Sequence, residues 1–449
     1  MPENKLKEKI RRRSPLLFAA LKLFNQKRRT ISRKLLAPAA NVKKRQLAKA
    51  CAEKHTELAR QARGKAAVKV LFIALHRSVW KTDEVFQAMQ ADPVFDPAIL
   101  IVPTLNRDQS WADAEQERAL SFFEAKGYPT TCVSQSEGPE SGILQVQQLA
   151  PDLVFFTNHH TLTYPKLYRH LLENYLTCYV PYSASVSRFN DHQTQYNQNF
   201  HSEVWRIFAP HSVAEGNYRA VQAIAGRNVT TTGYPAFEPL VASSDIAADP
   251  WRPLGRKRII WAPHHTIDMP HLPYANFLRY AEHFRDLVER HADDVQWCFK
   301  PHPLLKPKLI KHPDWGARRT EEYFRFWERH RVTQLELGEY VELFRNSDAM
   351  IHDSGSFLAE YLYVNKPVMY LWSSPEVMKY FNEFGLQALE VCERADSEAD
   401  IRRFIGAVLL GDDECSELRR SFLNRHPVSI DCELPSDRIL KEIKSAIWS

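Results

Sequence analysis

The sequence predicts an α/β protein built from two doubly wound domains that face each other across a cleft, with a basic helical extension ahead of them. Three observations carry this reading. From residue 68 onward, short apolar runs alternate with amphipathic stretches; a segment rich in Pro, Ser and Asp interrupts the series at 236–257; and positive charge is concentrated before residue 70. Strands alternating with helices form parallel sheets covered on both faces. A chain of 449 residues suits two domains of about 100–200 residues each with extensions.

The extension comes first. Residues 1–69 hold 21 Lys/Arg against 4 Asp/Glu, whereas the remainder holds 39 against 50, so the net charge of +6 conceals a basic appendage on an acidic body. KLKEKIRRR at 5–13 leads into Leu16, Leu17, Ala20, Leu21, Leu23 and Phe24, which recur at helical spacing, and NQKRRTISRK follows at 25–34. An apolar helical face between basic clusters suits a helix lying in the plane of an anionic leaflet, where each Lys or Arg contributes about 1 kcal/mol. A short helix docked back on the protein is the alternative, and no recognised motif points to nucleic acid. No apolar run reaches the roughly 18–20 residues that span a bilayer, and charges interrupt the N-terminal apolar patch, so neither a transmembrane helix nor a signal peptide is expected. Seven scattered cysteines without a CxxC pair predict reduced thiols in a cytoplasmic compartment, with neither a disulfide framework nor a zinc ribbon.

The expected organisation is a basic extension over 1–67, an N-terminal α/β domain over 68–240, a linker over 241–257, a C-terminal α/β domain over 258–435 and a terminal helix over 436–449. In the first domain strands are predicted at 68–75, 98–102, 131–133, 153–157, 177–180, 204–209 and 229–232, and helices at 81–91, 111–126 and 211–225. In the second, strands fall at 259–262, 295–299, 349–352 and 368–371, with helices near 275–291, 318–331, 356–363 and 397–410. The terminal helix, near 436–447, is expected to pack back across the first domain.

Open α/β sheets bind ligands beyond the carboxyl ends of their strands. Three segments of the second domain occupy such places: Pro263-His264-His265-Thr266, Lys300-Pro301-His302-Pro303 and Asp353-Ser354-Gly355-Ser356. Their chemistry converges on phosphate. A helix N-terminus offers unpaired N–H groups and partial positive charge, Gly355 allows close backbone approach, and Lys300 and His302 supply cations. Taken singly, the Ser-Gly-Ser turn reads as an ordinary helix cap, and the histidines as structural; their placement along one rim favours a phosphate-binding cleft. Glu360, one turn into the last helix, either contacts a donor hydroxyl or faces solvent. The spacing of His264, His265, Asp268 and His271 matches no zinc motif, and no metal or other cofactor is expected. G-x-S-x-G, GxGxxG and GxxxxGK[ST] are all missing, which argues against serine hydrolases, dinucleotide oxidoreductases and P-loop NTPases.

At these residues the chain resembles a known family. WAPHHT, KPHP, SDAMIHDSGSFLAEYL and NKPVMYL, in that order, resemble the C-terminal half of CDP-glycerol glycerophosphotransferases, which build teichoic-acid and related capsule polymers. VTTTGYPAFEPL resembles the segment before their interdomain linker. The resemblance covers roughly 205–375. It implies a GT-B fold of two Rossmann-like domains, with the CDP-activated donor in the second and the acceptor, a lipid-linked or polymer glycan, facing it from the first. By the same resemblance His302 and the Ser354–Ser356 turn hold the donor pyrophosphate, His264, His265 and Thr266 line the rim, and the enzyme sits peripherally on the inner face of the cell membrane. The family carries a Trp-His-Gly-Thr segment whose His is the general base. Here the corresponding strand end reads Tyr179-Val180-Pro181-Tyr182-Ser183-Ala184-Ser185, with no His. Replacement bases on the first domain are His76, His159, His160, Asp191 and His192, of which His76, beside Arg77, is preferred, and Arg77, His159, His160, Tyr182 and Ser183 are the expected acceptor side. The rival readings are a nucleotide-sugar glycosyltransferase, a UDP-N-acetylglucosamine 2-epimerase, which has a similar Asp-Ser-Gly helix start, and a non-catalytic membrane scaffold.

Overall fold

The computed structural model describes residues 40–106, 108–242, 249–269 and 272–448. The membrane-surface helix expected near 14–24 lies outside the described residues.

Two parallel sheets form the framework. The first holds β1 (Val68–Ala74), β2 (Phe95–Ile101), β3 (Thr130–Cys132), β4 (Leu153–Phe156), β5 (Leu176–Tyr179), β6 (Arg206–Ala209) and β7 (Val229–Thr231), in the order β3-β2-β1-β4-β5-β6-β7. The second holds β8 (Lys257–Ala262), β9 (Val295–Phe299), β10 (Thr333–Leu335), β11 (Ala349–His352), β12 (Val368–Leu371) and β13 (Glu393–Ala395), in the order β10-β9-β8-β11-β12-β13. Central strands such as LVFF and VMYL are buried throughout, as expected of strands covered on both faces. The strand order reverses between β1 and β4, and again between β8 and β11. These are the switch points at which such sheets bind ligands. Register then fixes the site. Trp261 pairs with Phe299 and Ala262 with His352, so the segments that begin at Pro263, Lys300 and Asp353 leave the sheet side by side.

The domains share one apolar core, which joins Phe72, Val180 and Phe237 of the first to Leu358, Tyr361 and Phe384 of the second. Phe237 stacks on Tyr363 with ring centroids 3.9 Å apart, and His211 stacks on Phe384 at 3.8 Å. The loop after β5 crosses the junction: Arg188 N–H donates to the Tyr380 carbonyl (2.7 Å) and Asn382 N–H to the Val186 carbonyl (2.9 Å). Gly385 permits this approach, because a Cβ there would run into the Val186 carbonyl oxygen. The terminal helix, Pro435–Trp448, returns to the first domain, burying Ile439, Ile443 and Ile447.

A helix over residues 40–63 is docked across the first domain, with Ala48, His55 and Ala62 buried. Four of its cations donate to backbone carbonyls: Lys44 to Asn197, Arg45 to Ala223, Lys54 to Glu173 and Arg63 to Ile447. Each acceptor stands at or just beyond the C-terminal end of a helix, namely Gln193–Tyr196, Ser212–Val221, Pro165–Asn174 and Pro435–Trp448. Cations there satisfy unpaired carbonyls and oppose the helix dipole, at about 0.3–1 kcal/mol each. This corrects the expectation of one basic extension over 1–67 turned toward a membrane: its second half is part of the folded domain.

Glu238 anchors the terminal helix by accepting hydrogen bonds from Ser436 N–H (2.7 Å) and Ser436 Oγ (2.8 Å). Burial pushes its pKa up to about 7 against the pull of those bonds. The fold therefore keeps a proton that the unfolded chain releases near the ordinary value of 4.5, and this contribution to stability declines as pH rises from about 4.5 to about 7. In Glu238→Gln the amide oxygen still accepts from Ser436 while the titration is gone. Denaturant unfolding at pH 5 and pH 8 should show wild type losing stability relative to the variant at the higher pH; a difference independent of pH would contradict the assignment.

Candidate active site at the domain cleft

The rim of the second domain is organised by one carboxylate. Asp353, fully buried at the end of β11, accepts from His264 N–H at 2.6 Å and from Asn276 N–H at 2.5 Å. Asn276 Nδ2 donates in turn to the Leu371 carbonyl at the end of β12 (2.9 Å). The ends of β8, β11 and β12 and the start of the helix Phe277–Arg290 are thus tied at one point. Burial drives the Asp353 carboxyl up to about 7, outweighing the N–H bonds that pull it down. Asp353 was expected on the phosphate itself; both its oxygens are engaged internally, so it shapes the rim instead.

Beside this knot, one ring nitrogen each of His264, His265 and His302 lies within 4.8 Å of the others. Their hydrogen bonds fix the chemistry they can offer. Thr266 Oγ1 accepts from Ala275 N–H (3.2 Å) and lies 3.0 Å from His264 Nδ1. The Lys308 ammonium donates to His265 Nδ1 (2.8 Å), and Leu304 N–H donates to His302 Nδ1 (3.1 Å). A neutral imidazole whose Nδ1 accepts carries its proton on Nε2. His265 and His302 therefore have an Nε2–H donor, with the Lys308 ammonium alongside. Burial first, then His265 and Lys308, hold His264 well below the ordinary histidine range, so it is neutral. Nε2–H groups suit an anion; a metal would need the lone pairs that these protons occupy. Of the other residues tested against a metal motif, Asp268 pairs with His312 at 2.8 Å, and His271 lies outside the described residues.

Other expected phosphate ligands stand elsewhere. Lys300, almost fully buried, donates to the Gly338 carbonyl (2.5 Å), and burial lowers its pKa. It braces the loop after β10 because that carbonyl is its nearest acceptor. Glu360 is buried at the domain junction with Oε1 3.3 Å from Lys81 Nζ, and Lys81 also donates to Tyr340 Oη (2.5 Å). Its Oε2 has no partner among the described residues. The helix Gly355–Glu360 begins under a roof: a Cβ on Gly355 would lie 3.4 Å from the Tyr274 ring and 3.8 Å from Ser187 Oγ of the first domain. Ser354 N–H donates to His352 Nδ1 (3.1 Å), and Ser356 is exposed. The structure therefore gathers His264, His265, Thr266 and His302, and adds Lys308, which sequence reasoning missed. The available signal was a lysine six residues beyond His302, on the helix Leu305–Lys311 that leaves the KPHP turn.

On the first domain the candidates fall into two groups. His76 and Arg77 follow β1; His76 Nδ1 lies 2.7 Å from Ser78 Oγ, and the Arg77 guanidinium lies 3.9 Å from the Cβ position of Gly338 across the cleft. His159, His160 and Tyr182 cluster at the ends of β4 and β5, with ring centroids of 3.9 Å for the histidine pair and 5.9 Å for His159–Tyr182. His159 Nδ1 meets Tyr179 Oη at 2.8 Å, and burial, His201 and His160 hold it well below the ordinary range. His201, buried beside it, was not anticipated. Ser183 is half-buried on the same segment, Asp191 is exposed against Arg188 (3.5 Å), and His192 is half-buried against Tyr196.

Residues 184–426 match the model of the family described as CDP-glycerol:poly(glycerophosphate) glycerophosphotransferase. No curated protein matches the chain. Among solved structures, a putative UDP-N-acetylglucosamine 2-epimerase from Listeria monocytogenes is 17% identical over 85% of this chain and 96% of its own, with a TM-score of 0.55. S. aureus MnaA with UDP is 17% identical over the same shares, at 0.53. A variant of the wall teichoic acid polymerase TagF is 13% identical over 94% of this chain and 98% of its own, at 0.54. At these identities the likenesses establish the two-domain GT-B-like fold and nothing further.

The division of labour between knot and rim is testable by denaturant unfolding. Asp353→Ala leaves two buried N–H groups without an acceptor, at about 1–3 kcal/mol each, and should cost a few kcal/mol of stability. His302→Ala, at a half-buried rim position, should cost under about 1 kcal/mol. The reverse order would refute the assignment.

Proposed function

The chain belongs to the CDP-glycerol:poly(glycerophosphate) glycerophosphotransferase family, and from that membership we propose that it transfers a polyol phosphate from a CDP-activated donor, CDP-glycerol before CDP-ribitol, to a teichoic-acid-type or lipid-linked glycan acceptor. The observation that carries the reading is the trio His264, His265 and His302, with Nε2–H donors on His265 and His302 and Lys308 beside them. In the reaction, the acceptor hydroxyl oxygen forms a bond to the phosphorus that bears the polyol. The bond from that phosphorus to the oxygen of CMP breaks, and CMP leaves with the electron pair. The imidazole N–H donors take up the charge that grows on the departing phosphate, and the Lys308 ammonium, which holds Nδ1 and the carbonyl of His265, adds positive charge alongside; such preorganised groups lower a barrier most where water is excluded. The hydroxyl proton passes to a base. His76 is the proposed base, since its neighbour Arg77 reaches the Gly338 loop that Lys300 braces. His159 is too deeply buried for that role and serves the acceptor side with His160, Tyr182 and Ser183. The unpartnered Oε2 of Glu360 is assigned to a donor hydroxyl.

No described helix is long and apolar enough to cross a membrane. The proposed seat is peripheral, on the inner leaflet, through the basic residues 5–34, which brings the cleft to a lipid-linked acceptor.

The test is a donor panel with a membrane extract, reading released nucleotide by mass spectrometry. CMP from CDP-glycerol or CDP-ribitol is expected; UDP or GDP from a nucleotide sugar would overturn the reading in favour of a glycosyltransferase. His302→Ala and His76→Ala should each lower kcat by about 10²–10⁴-fold, the range of acid–base groups. His76→Ala should leave donor KM unchanged, and a rise in donor KM with kcat intact would remove it as the base. Because the donor set suits an anion without a cation, turnover in EDTA should match turnover in Mg²⁺.

A further inference from the structure

A large cavity lies remote from the cleft. It occupies about 1060 Å³ beneath the helix over 40–63, on the floor of the first domain where β6 and β7 begin, and the terminal helix closes one side at Ala446. Its rim is cationic: Arg45 and Lys49 project from the docked helix, and Arg206 and Arg227 from the sheet side. Three carboxylates also line it: Glu203 is paired with Arg169 at 2.6 Å, Glu57 with Arg60, and Glu53 is exposed on the docked helix. Among the described residues, no carboxylate forms an ion pair with any of the four rim cations. Ala48, Val204, Trp205 and Ile224 make the interior largely apolar.

Two polar groups in the wall have nothing to bind. His55 Nε2 and Ser202 Oγ are buried without a hydrogen-bond partner among the described residues, in side chains only 7% and 3% exposed. A buried polar atom left unpaired costs about 1–3 kcal/mol, so such a pair marks a place where a ligand completes the structure. His55 is held at about 4, by burial first and then by the charges of Arg206 and Lys54, so it is neutral.

We propose that this cavity binds a membrane lipid bearing an anionic phosphate headgroup, with the phosphate among Arg45, Lys49, Arg206 and Arg227 and apolar chain against Trp205 and Ile224. Inorganic phosphate would fill little of so large a space and would leave the apolar wall uncovered. The sequence supplies the context: the basic, apolar segment 5–34 precedes the helix that roofs the cavity. The site goes beyond polyol-phosphate transfer and does not depend on it, since it stands on the opposite end of the strands from the cleft.

The test uses the full chain and short-chain dihexanoyl phosphatidylglycerol below its micelle concentration, measured by calorimetry. Binding is expected, with Arg206→Gln and Arg227→Gln each raising Kd about tenfold, the worth of one charge-assisted hydrogen bond. Lys49→Gln, on an exposed helix surface where folding is safe, should weaken binding in the same direction. Release of CMP from CDP-glycerol in lipid-free buffer should be unchanged in all three, which separates failure of this site from failure of the transfer reading. Inorganic phosphate binding as tightly as the lipid would overturn the proposal in favour of a simple phosphate site. Lipid binding indifferent to all three substitutions would overturn it by placing the lipid elsewhere.

Discussion

A single buried carboxylate sets the geometry on which the rest of the cleft depends. Asp353 takes the N–H of His264 and of Asn276, and through Asn276 reaches the end of β12. Without that acceptor, the N–H of His264 beyond β8 and the N–H of Asn276 at the helix start would be left buried and unpaired. The penalty for leaving such groups unpaired exceeds the net gain from making one bond, so the knot is a constraint more than a source of stability. Its consequence is positional: it holds the His264-His265-Thr266 segment against the turn that carries His302, the arrangement in which His265 and His302 accept at Nδ1 and keep their protons on Nε2.

Charge in this protein has two uses. In the helix over 40–63, lysines and arginines are held by backbone carbonyls at helix C-termini, where they complete the first domain. Lys49 of the same helix and Arg206 and Arg227 of the sheet floor, together with Arg45, stand around a cavity with unsatisfied polar walls. Arg45 serves both uses, since its Nε is held by the Ala223 carbonyl.

Much of the architecture was legible in the sequence, because fully buried parallel strands must read as short apolar runs and the chain has many. The two strands that escaped, β10 and β13, are three-residue edges with the sequences TQL and ERA, too short and too polar to stand out. The three site segments were legible for a related reason: each directly follows an apolar run, and register places them together. Direction was not legible. Lys300, Asp353 and Glu360 all belong to the right segments, yet each turns to a protein partner: the Gly338 carbonyl, two backbone N–H groups, and Lys81 across the junction. Sequence position gives the end of a strand, whereas the orientation of a side chain there depends on which acceptor the rest of the fold brings near. Lys308 escaped for the converse reason, since an amphipathic basic helix gives no sign of which lysine faces a histidine.

The central claim is that protonated imidazole nitrogens beside Lys308 receive the phosphate of a CDP-activated donor. The most direct measurement is a crystal structure of the protein with CDP-glycerol bound. The account predicts pyrophosphate oxygens within hydrogen-bond distance of Nε2 of His302 and of at least one of His264 and His265. A pyrophosphate seated away from this cluster, or a metal ion ligated by these nitrogens between it and the phosphate, would contradict it.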